Sequence, residues 1–437
     1  MKQSLTMKKS VTFVEALAIV IGMIIGSGIF LKIGIVLKDA GSPAMSLLAW
    51  GIGGIITLAS ALSIAEIASA IPKSGGLYTY LSELYGEKTG FLLGWVQTII
   101  SYPASVAAQS IAFATYASFF IALTDMEQKI LGIAALLFLL LMNIIATKCG
   151  GIIQVAATIG KLIPVIGIII FGLMQESIPG FMGMSQLGIS GGGFGAAMLG
   201  TLWAYDGWIG VTNMADELKN PAKELPKVIS IGVIFVIIIY IVFNIAAFKS
   251  VPLDLLSTSA TPGALVAETI FGKGGGIFLT AGILISVFGA LNGYLMTAAR
   301  VPQYMGERKE LPFSDWLARI HPKFRTPANS LICQSLLAII YVFSGTFNTL
   351  TDLLVFVLWI FFTLGVFGIF ILRKKGLTNP KGYHVPLYPF TPIVGIIGGI
   401  YILGNTIVAS PFQSFIGIAL TLTGLIVFFA RKARTKD

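Results

Sequence analysis

Residues 22–30 read GMIIGSGIF, so a Gly-Ser-Gly triplet, Gly26 to Gly28, interrupts an apolar run. Glycine lets the backbone leave a helix, and Ser27 is short enough to follow. An interruption in hydrocarbon frees backbone groups, and each unpaired one costs several kcal/mol there. It persists only where something polar sits. This break frees the N–H groups of about residues 27–29 and the carbonyls of about 23–25. A helix starting near Ile29 carries roughly half a positive charge at its end and offers amide donors, which suit a carboxylate. Carbonyls suit an ammonium group. A second interruption lies in FGAAMLGTLWAYDGWIG, residues 194–210, at Asp206-Gly207. The half before it ends near Trp203, again aiming carbonyls at the centre. An anion seat beside a cation seat fits an α-amino acid zwitterion. Close packing through small residues is the alternative for Gly-Ser-Gly alone; the second break weighs against it.

Lys161, in ATIGKLIPVIG, is a mid-span cation. A lysine there costs about 2.5–3.5 kcal/mol on insertion scales. It lies about ten residues from the nearer end of its span, roughly 15 Å at the helical rise, too far for its stem to snorkel. It must face the protein interior, and a structural pairing with a carboxylate is the alternative to a mechanistic role. Asp206 is the acid placed near a membrane midplane. It can pair with a substrate cation, polarise the site, or cap the following helix. Glu66, before Pro72, reads as a structural tie to an inner loop or as an inner gate. Trp203, Tyr205 and Trp208 cluster at the second break, far from the interface where membrane aromatics usually anchor. Trp203 reads as a gate whose volume favours small substrate side chains.

The elements that must hold these residues are membrane spans. Of 437 residues, 56% are hydrophobic and only 11% charged, against about 25% charged in soluble domains. Apolar stretches near the length of a span, about 20 residues, fall at roughly 13–38, 44–70, 88–122, 129–147, 151–174, 192–217, 228–250, 275–306, 327–343, 350–372, 389–409 and 412–430. The first stretch is too long for a signal peptide and lacks a small-residue cleavage site. The expected fold is all-α, a polytopic bundle of twelve transmembrane helices. The broken spans, first and sixth, are five apart, so the second half enters from the opposite side. This predicts a five-plus-five inverted repeat of the leucine-transporter type with discontinuous helices 1 and 6. Its units are residues 13–174, 192–372 and an appended 389–430. No residue-level identity links the halves; the repeat rests on the spacing of the breaks.

The net charge of +10 follows the positive-inside rule. With the N-terminus inside, 23 of the 29 Lys and Arg fall in inner segments, among them Lys2, Lys8, Lys9, Lys148 and Lys436. Both termini are therefore expected in the cytoplasm, and the basic loop Arg300–Arg325 reads as topogenic rather than as a lipid or partner patch. Cys149 and Cys333 read as free thiols at span edges, and no disulfide framework is implied. His321 and His384 sit in separate loops, so no metal site is expected. FGKGGGIF, residues 271–278, lacks the phosphate-loop order and reads as an outer-loop turn entering the eighth span. Intramembrane aspartyl chemistry needs two carboxylates and only one is found at depth, so the chain is not expected to be an enzyme. A channel would want rings or filters from repeated subunits. No cofactor or nucleic acid is implied.

The blocks IGMIIGSGIFLKIG, IAEIASAIPKSGGLYTYLSELYGEKTGFLLGW, WAYDGW, SVFGALNGYLMTAARVPQYMGERKELP and HPKFRTP resemble the L-type amino acid transporter family, a branch of the amino acid–polyamine–organocation superfamily. The resemblance covers essentially the whole chain, and bacterial serine/threonine and alanine/serine/cysteine exchangers look nearest. It implies sodium-independent, obligatory exchange of small neutral L-amino acids across the plasma membrane, with transport of cationic amino acids or polyamines as the alternative that Asp206 raises. It implies that Ile24 and Ile25 carbonyls take the substrate ammonium. Gly26, Ser27 and Gly28 amides take the carboxylate, and Trp203 is the outer gate. Ala204 and Asp206 line the unwound segment, and Tyr240 and Asn292 face the same cavity. It places Lys161 where sodium-coupled relatives hold an ion, near Gly22 and the Ser286 hydroxyl. The loop LTDMEQK, 123–129, lacks the cysteine that links animal members to a heavy-chain glycoprotein, so that partner is not expected; substrate amino acids and the lipid bilayer are.

Overall fold

The computed structural model describes residues 11–73, 75–145, 147–178 and 192–434. Lys2, Lys8, Lys9 and Lys436 lie outside them, as do the side chains of Lys148 and Cys149. The described chain is α-helical and carries no named strand. The first apolar run is two helices, α1 (Phe13–Ile24) and α2 (Ser27–Ala40), and α3 (Pro43–Ala70) returns. After α4 (Gly76–Tyr85), helices α5 (Glu87–Val96) and α6 (Tyr102–Ala117) are joined by a π-helical turn, Gln97–Ser101. Next come α7 (Asp125–Ile145), α8 (Thr147–Met174) and α9 (Gly193–Ala204). A 3-10 helix, Gly210–Glu217, leads into α10 (Pro221–Ser250), α11 (Leu253–Thr258), α12 (Pro262–Ala298) and α13 (Arg300–Glu307). The chain ends with α14 (Ser314–Leu317), α15 (Ala328–Ser344), α16 (Phe347–Lys374), α17 (Phe390–Ala409) and α18 (Pro411–Arg434).

Local chemistry sets several of these boundaries. Thr12 and Glu15 form a capping box that starts α1, and Thr346 with Thr349 does the same for α16. Ser42 caps α3, with Pro43 in its first turn. One boundary differs from expectation. The third span ends at Ala117 and not near 122, because residues 118–121 form turns and a bend. Residues 271–278 do hold a turn: Gly272, with φ 68° and ψ 179°, leaves the helix, and Gly276 comes back against Glu268, so α12 is two helices joined at the glycine run.

Among the described residues, ten helical stretches are long and apolar enough to cross a membrane, and Gly193–Ala204 and Ala328–Ser344 are shorter apolar helices. Helix α8 shows how the bilayer and the core divide one helix. Ile159, Ile163, Ile166 and Ile170 are exposed, while Thr158, Lys161, Val165 and Ile168 are buried. The two stripes keep the helical spacing. The apolar stripe meets lipid and the stripe carrying the lysine meets the protein. The molecule is a polytopic membrane α-bundle whose interior, around α1, α2 and α9, is lined by α3, α8, α10 and α12. The face where α1 begins is called the near face below, and the face where α2 ends the far face.

Candidate functional site

The first break spans Ile25 and Gly26. The carbonyls of Gly22, Ile24 and Ile25 have partners reaching in from other spans. Lys161 Nζ donates to Gly22 O at 2.7 Å and Ile25 O at 2.5 Å. One turn earlier on α8, Thr158 Oγ1 donates to Ala18 O at 3.1 Å. The alternative pairing of Lys161 with a carboxylate is therefore not what its ammonium makes. Ser286 Oγ does not take the ammonium; it approaches the same Ile25 carbonyl at 3.5 Å. Ile24 O accepts from Gly26 N at 2.9 Å and lies 2.7 Å from the Tyr240 hydroxyl. That hydroxyl is also 2.9 Å from Ala204 O, the last residue of α9. Its one proton serves one carbonyl at a time, so Tyr240 bridges the two breaks.

The amide side of the break is arranged differently. No side chain caps the start of α2, and the Ser27 hydroxyl is buried without a partner. The first amides of α2 thus begin a fourteen-residue helix with its positive end uncapped. Gly28 also meets a packing demand: a Cβ there would lie 2.6 Å from Ala204 Cα. Close packing and the helix break are both real properties of the triplet.

The second break is longer. After Ala204 the chain turns through Tyr205–Ile209 before the 3-10 segment. Gly207 has φ 104°, the left-handed region that favours glycine, and a Cβ there would lie 2.9 Å from Met23 Cβ. Asp206 is 8% exposed and accepts from the Tyr294 hydroxyl at 2.9 Å. Its carboxylate helps line a cavity of about 20 Å³ with Met23, Gln97, Ser101, Tyr102 and Ser105, room for about one water molecule. Trp203 is buried and stacks on Tyr294 at 6.3 Å, with Phe347 edge-on at 5.9 Å. Tyr205 and Trp208 serve the walls: the Tyr205 hydroxyl donates to Trp50 O, and Trp208 packs on Phe362.

The fold therefore gathers Gly22, Ile24, Ile25, Gly26, Ser27, Gly28, Lys161, Ala204, Tyr240 and Ser286 around the breaks, with Trp203 and Asp206 beside them. Asn292 is not among the cavity-lining residues; its Oδ1 accepts from Asn143 Nδ2 at 2.9 Å. Sequence reasoning missed Tyr294, two residues on, and Gln109. A Cβ on Gly26 would come within 3.1 Å of Gln109 Nε2, and the Gln109 Oε1 is buried and unpaired. A lone glutamine in the apolar run 102–117 was the available signal.

On the near face, Glu66 is 1% exposed and takes Arg373 bidentately at 3.0 and 2.8 Å, plus Val385 N at 2.7 Å. It is a structural tie between α3, α16 and the segment after α16. Arg300 meets Glu217 at 3.2 Å, both buried. Val11 N donates to Glu217 O at 3.1 Å, so the start of α1 is tied to the end of the 3-10 segment.

Sequence comparison places this geometry among known proteins. A profile of the family described as amino acid permease matches residues 11–430. The serine/threonine exchanger SteT of Bacillus subtilis (strain 168) is 43% identical over 400 residues, covering 91% of each chain. The b(0,+)-type amino acid transporter 1 of Mus musculus is 32% identical, covering 90% of this chain and 82% of its own. The human cystine/glutamate transporter is 30% identical, over 90% and 79%.

Proposed function

The chain belongs to the amino acid permease family, and from that premise we propose that it is a sodium-independent exchanger of small neutral L-amino acids working by alternating access. It is a transporter, not an enzyme. The observation that carries the reading is the meeting of the two breaks. An uncapped helix start at Ser27 lies against Ala204, Tyr240 bridges the break carbonyls, and Asp206 lines the cavity alongside. The substrate carboxylate sits on the amides of Gly26, Ser27 and Gly28. Its ammonium shares the second lone pairs of the Ile24 and Ile25 carbonyls, and its side chain faces Asp206 and Trp203. Trp203 fills the space above Tyr294, which favours Ala, Ser, Thr or Cys. The relative named a serine/threonine exchanger supports that range.

Sodium independence rests on Lys161. Its Nζ already donates to the Gly22 and Ile25 carbonyls, occupying the acceptors that a bound cation would need. In the proposed arrangement, twelve spans form repeats 13–174 and 192–372 with 389–430 appended. Both termini are cytoplasmic, so the near face is the inner one, in the plasma membrane and without a heavy-chain partner. A second reading, exchange of cationic substrates, draws on the Asp206 carboxylate in the cavity wall. The test is uptake into liposomes that hold the purified protein and one unlabelled amino acid. Labelled Ser, Thr, Ala and Cys are expected to enter only against internal amino acid, equally with and without sodium. Uptake into empty liposomes ends the exchange reading, a sodium requirement ends the lysine argument, and uptake restricted to Lys or Arg selects the second reading.

A further inference from the structure

A cavity of about 300 Å³ has no part in the site described above. It lies on the far face, where α7 begins and α15 gives way to α16. Its charged and polar border is Asp125, Gln128 and Lys129 of α7, and Ile111, Val342 and Phe347 supply apolar wall. Asp125 and Lys129 stand one turn apart, the spacing of a helical ion pair. Among the described residues, neither is in an ion pair. The Lys129 ammonium instead lies 5.9 Å from the centre of the Phe343 ring on α15. Gln128 Nε2 donates to Leu123 O at 3.3 Å, which leaves its Oε1 able to accept. Glu127, the other acid in the first turn, serves the helix start: its Oε2 accepts from Thr124 N at 2.7 Å, and Thr124 Oγ1 accepts from Glu127 N. Asp125 is therefore not needed as a cap. A lysine one turn into a helix stands near the positive end of its dipole, so local helix chemistry does not explain Lys129 either.

We propose that this cavity seats the headgroup of a zwitterionic phospholipid that bears a primary ammonium. Helix α7 is a 21-residue apolar span, so its first turn stands at the level of the lipid headgroups. Met126 and Ile130 on α7 and Phe343 on α15 are exposed apolar side chains, a surface for acyl chains to cover. The lipid ammonium goes to the Asp125 carboxylate and Gln128 Oε1, and the phosphate goes to the Lys129 ammonium. One helical turn, about 5.4 Å, separates the two charges along the axis, a gap that an ethanolamine phosphate bridges. A purely anionic headgroup matches Lys129 but is repelled by Asp125. A trimethylated ammonium has no N–H to give the carboxylate, so it forgoes the charge-assisted bond. Water filling the same space would leave Ile111, Val342 and Phe347 wetted. The seated lipid joins α6, α7, α15 and α16 on the far face, and it does so whichever amino acids the protein carries.

Native mass spectrometry of the detergent-purified full chain is the test. Dioleoyl phosphatidylethanolamine, phosphatidylglycerol and phosphatidylcholine are added one at a time. One phosphatidylethanolamine per chain is expected to be held about tenfold more tightly than either other lipid, the shift for one charge-assisted hydrogen bond. Asp125→Asn is expected to bring phosphatidylethanolamine down to the phosphatidylcholine level and leave phosphatidylcholine unchanged. Lys129→Gln removes the phosphate contact and is expected to weaken phosphatidylethanolamine about tenfold. Neither residue is fully buried, and each variant stands in for the other where one does not yield monodisperse protein. In nanodiscs, phosphatidylethanolamine is expected to raise the Tm of the unaltered chain and not that of Asp125→Asn. Equal retention of the three lipids overturns the headgroup site, as does phosphatidylethanolamine retention that neither variant changes. Displacement of the bound lipid by millimolar serine also overturns it, because the cavity then belongs to a free amino acid.

Discussion

At Ile25-Gly26 the helix is interrupted for two residues; after Ala204 it stays irregular through Ile209 and resumes only as a 3-10 segment. The contrast lies in what fills the freed groups. The carbonyls of Gly22, Ile24 and Ile25 are held by Lys161 and Tyr240, brought in from α8 and α10. The second break instead points a carboxylate into a cavity, with the Tyr294 hydroxyl as its hydrogen-bond donor. The first break has its carbonyl side held and its amide side uncapped; in the proposed exchanger that side would take the constant part of each substrate, and the wall at the second break would meet the part that varies.

Removing a bolt tests this contrast most severely. Lys161→Ala strips two charge-assisted hydrogen bonds of about 1.5–3 kcal/mol each from buried carbonyls, and the uptake rate per reconstituted protein is expected to fall about 100-fold or more. An unchanged rate and affinity would remove Lys161 from the mechanism. Next in size, Asp206→Asn alters the wall at the second break alone. It is expected to change the preference between neutral and cationic amino acids about tenfold, through one lost charge contact, while uptake of the best neutral substrate stays within a few-fold. Competition assays against labelled serine measure the preference. If all substrates fall together, the two breaks do not divide the labour. The mildest change is Ser286→Ala. Its 3.5 Å approach to Ile25 O is long, so a drop of no more than about twofold is expected in the same uptake assay, because Lys161 holds that carbonyl already.

Much of the architecture was legible because it is written locally. Gly26 and Gly207 mark where the helices break, since no other residue supplies that backbone freedom so cheaply. Lys161 had to face inward because its stem cannot reach either interface. Other features were hidden. Asn292 and Tyr294 lie two residues apart on α12, and nothing in their neighbourhood says that Asn292 turns to Asn143 while Tyr294 meets Asp206.

By itself the sequence determined a polytopic helical membrane bundle with two interrupted helices and a lysine trapped at depth. Hydropathy, helical period and glycine placement act over a few residues and need no knowledge of neighbours. Only the tertiary structure decided which donor bolts which carbonyl, and which of the two breaks keeps an open side. Those pairings join groups as far apart in the chain as Lys161 and Gly22, separated by 139 residues. Hydrogen bonds of that kind depend on distances of a few tenths of an ångström, which are fixed when spans pack and not before.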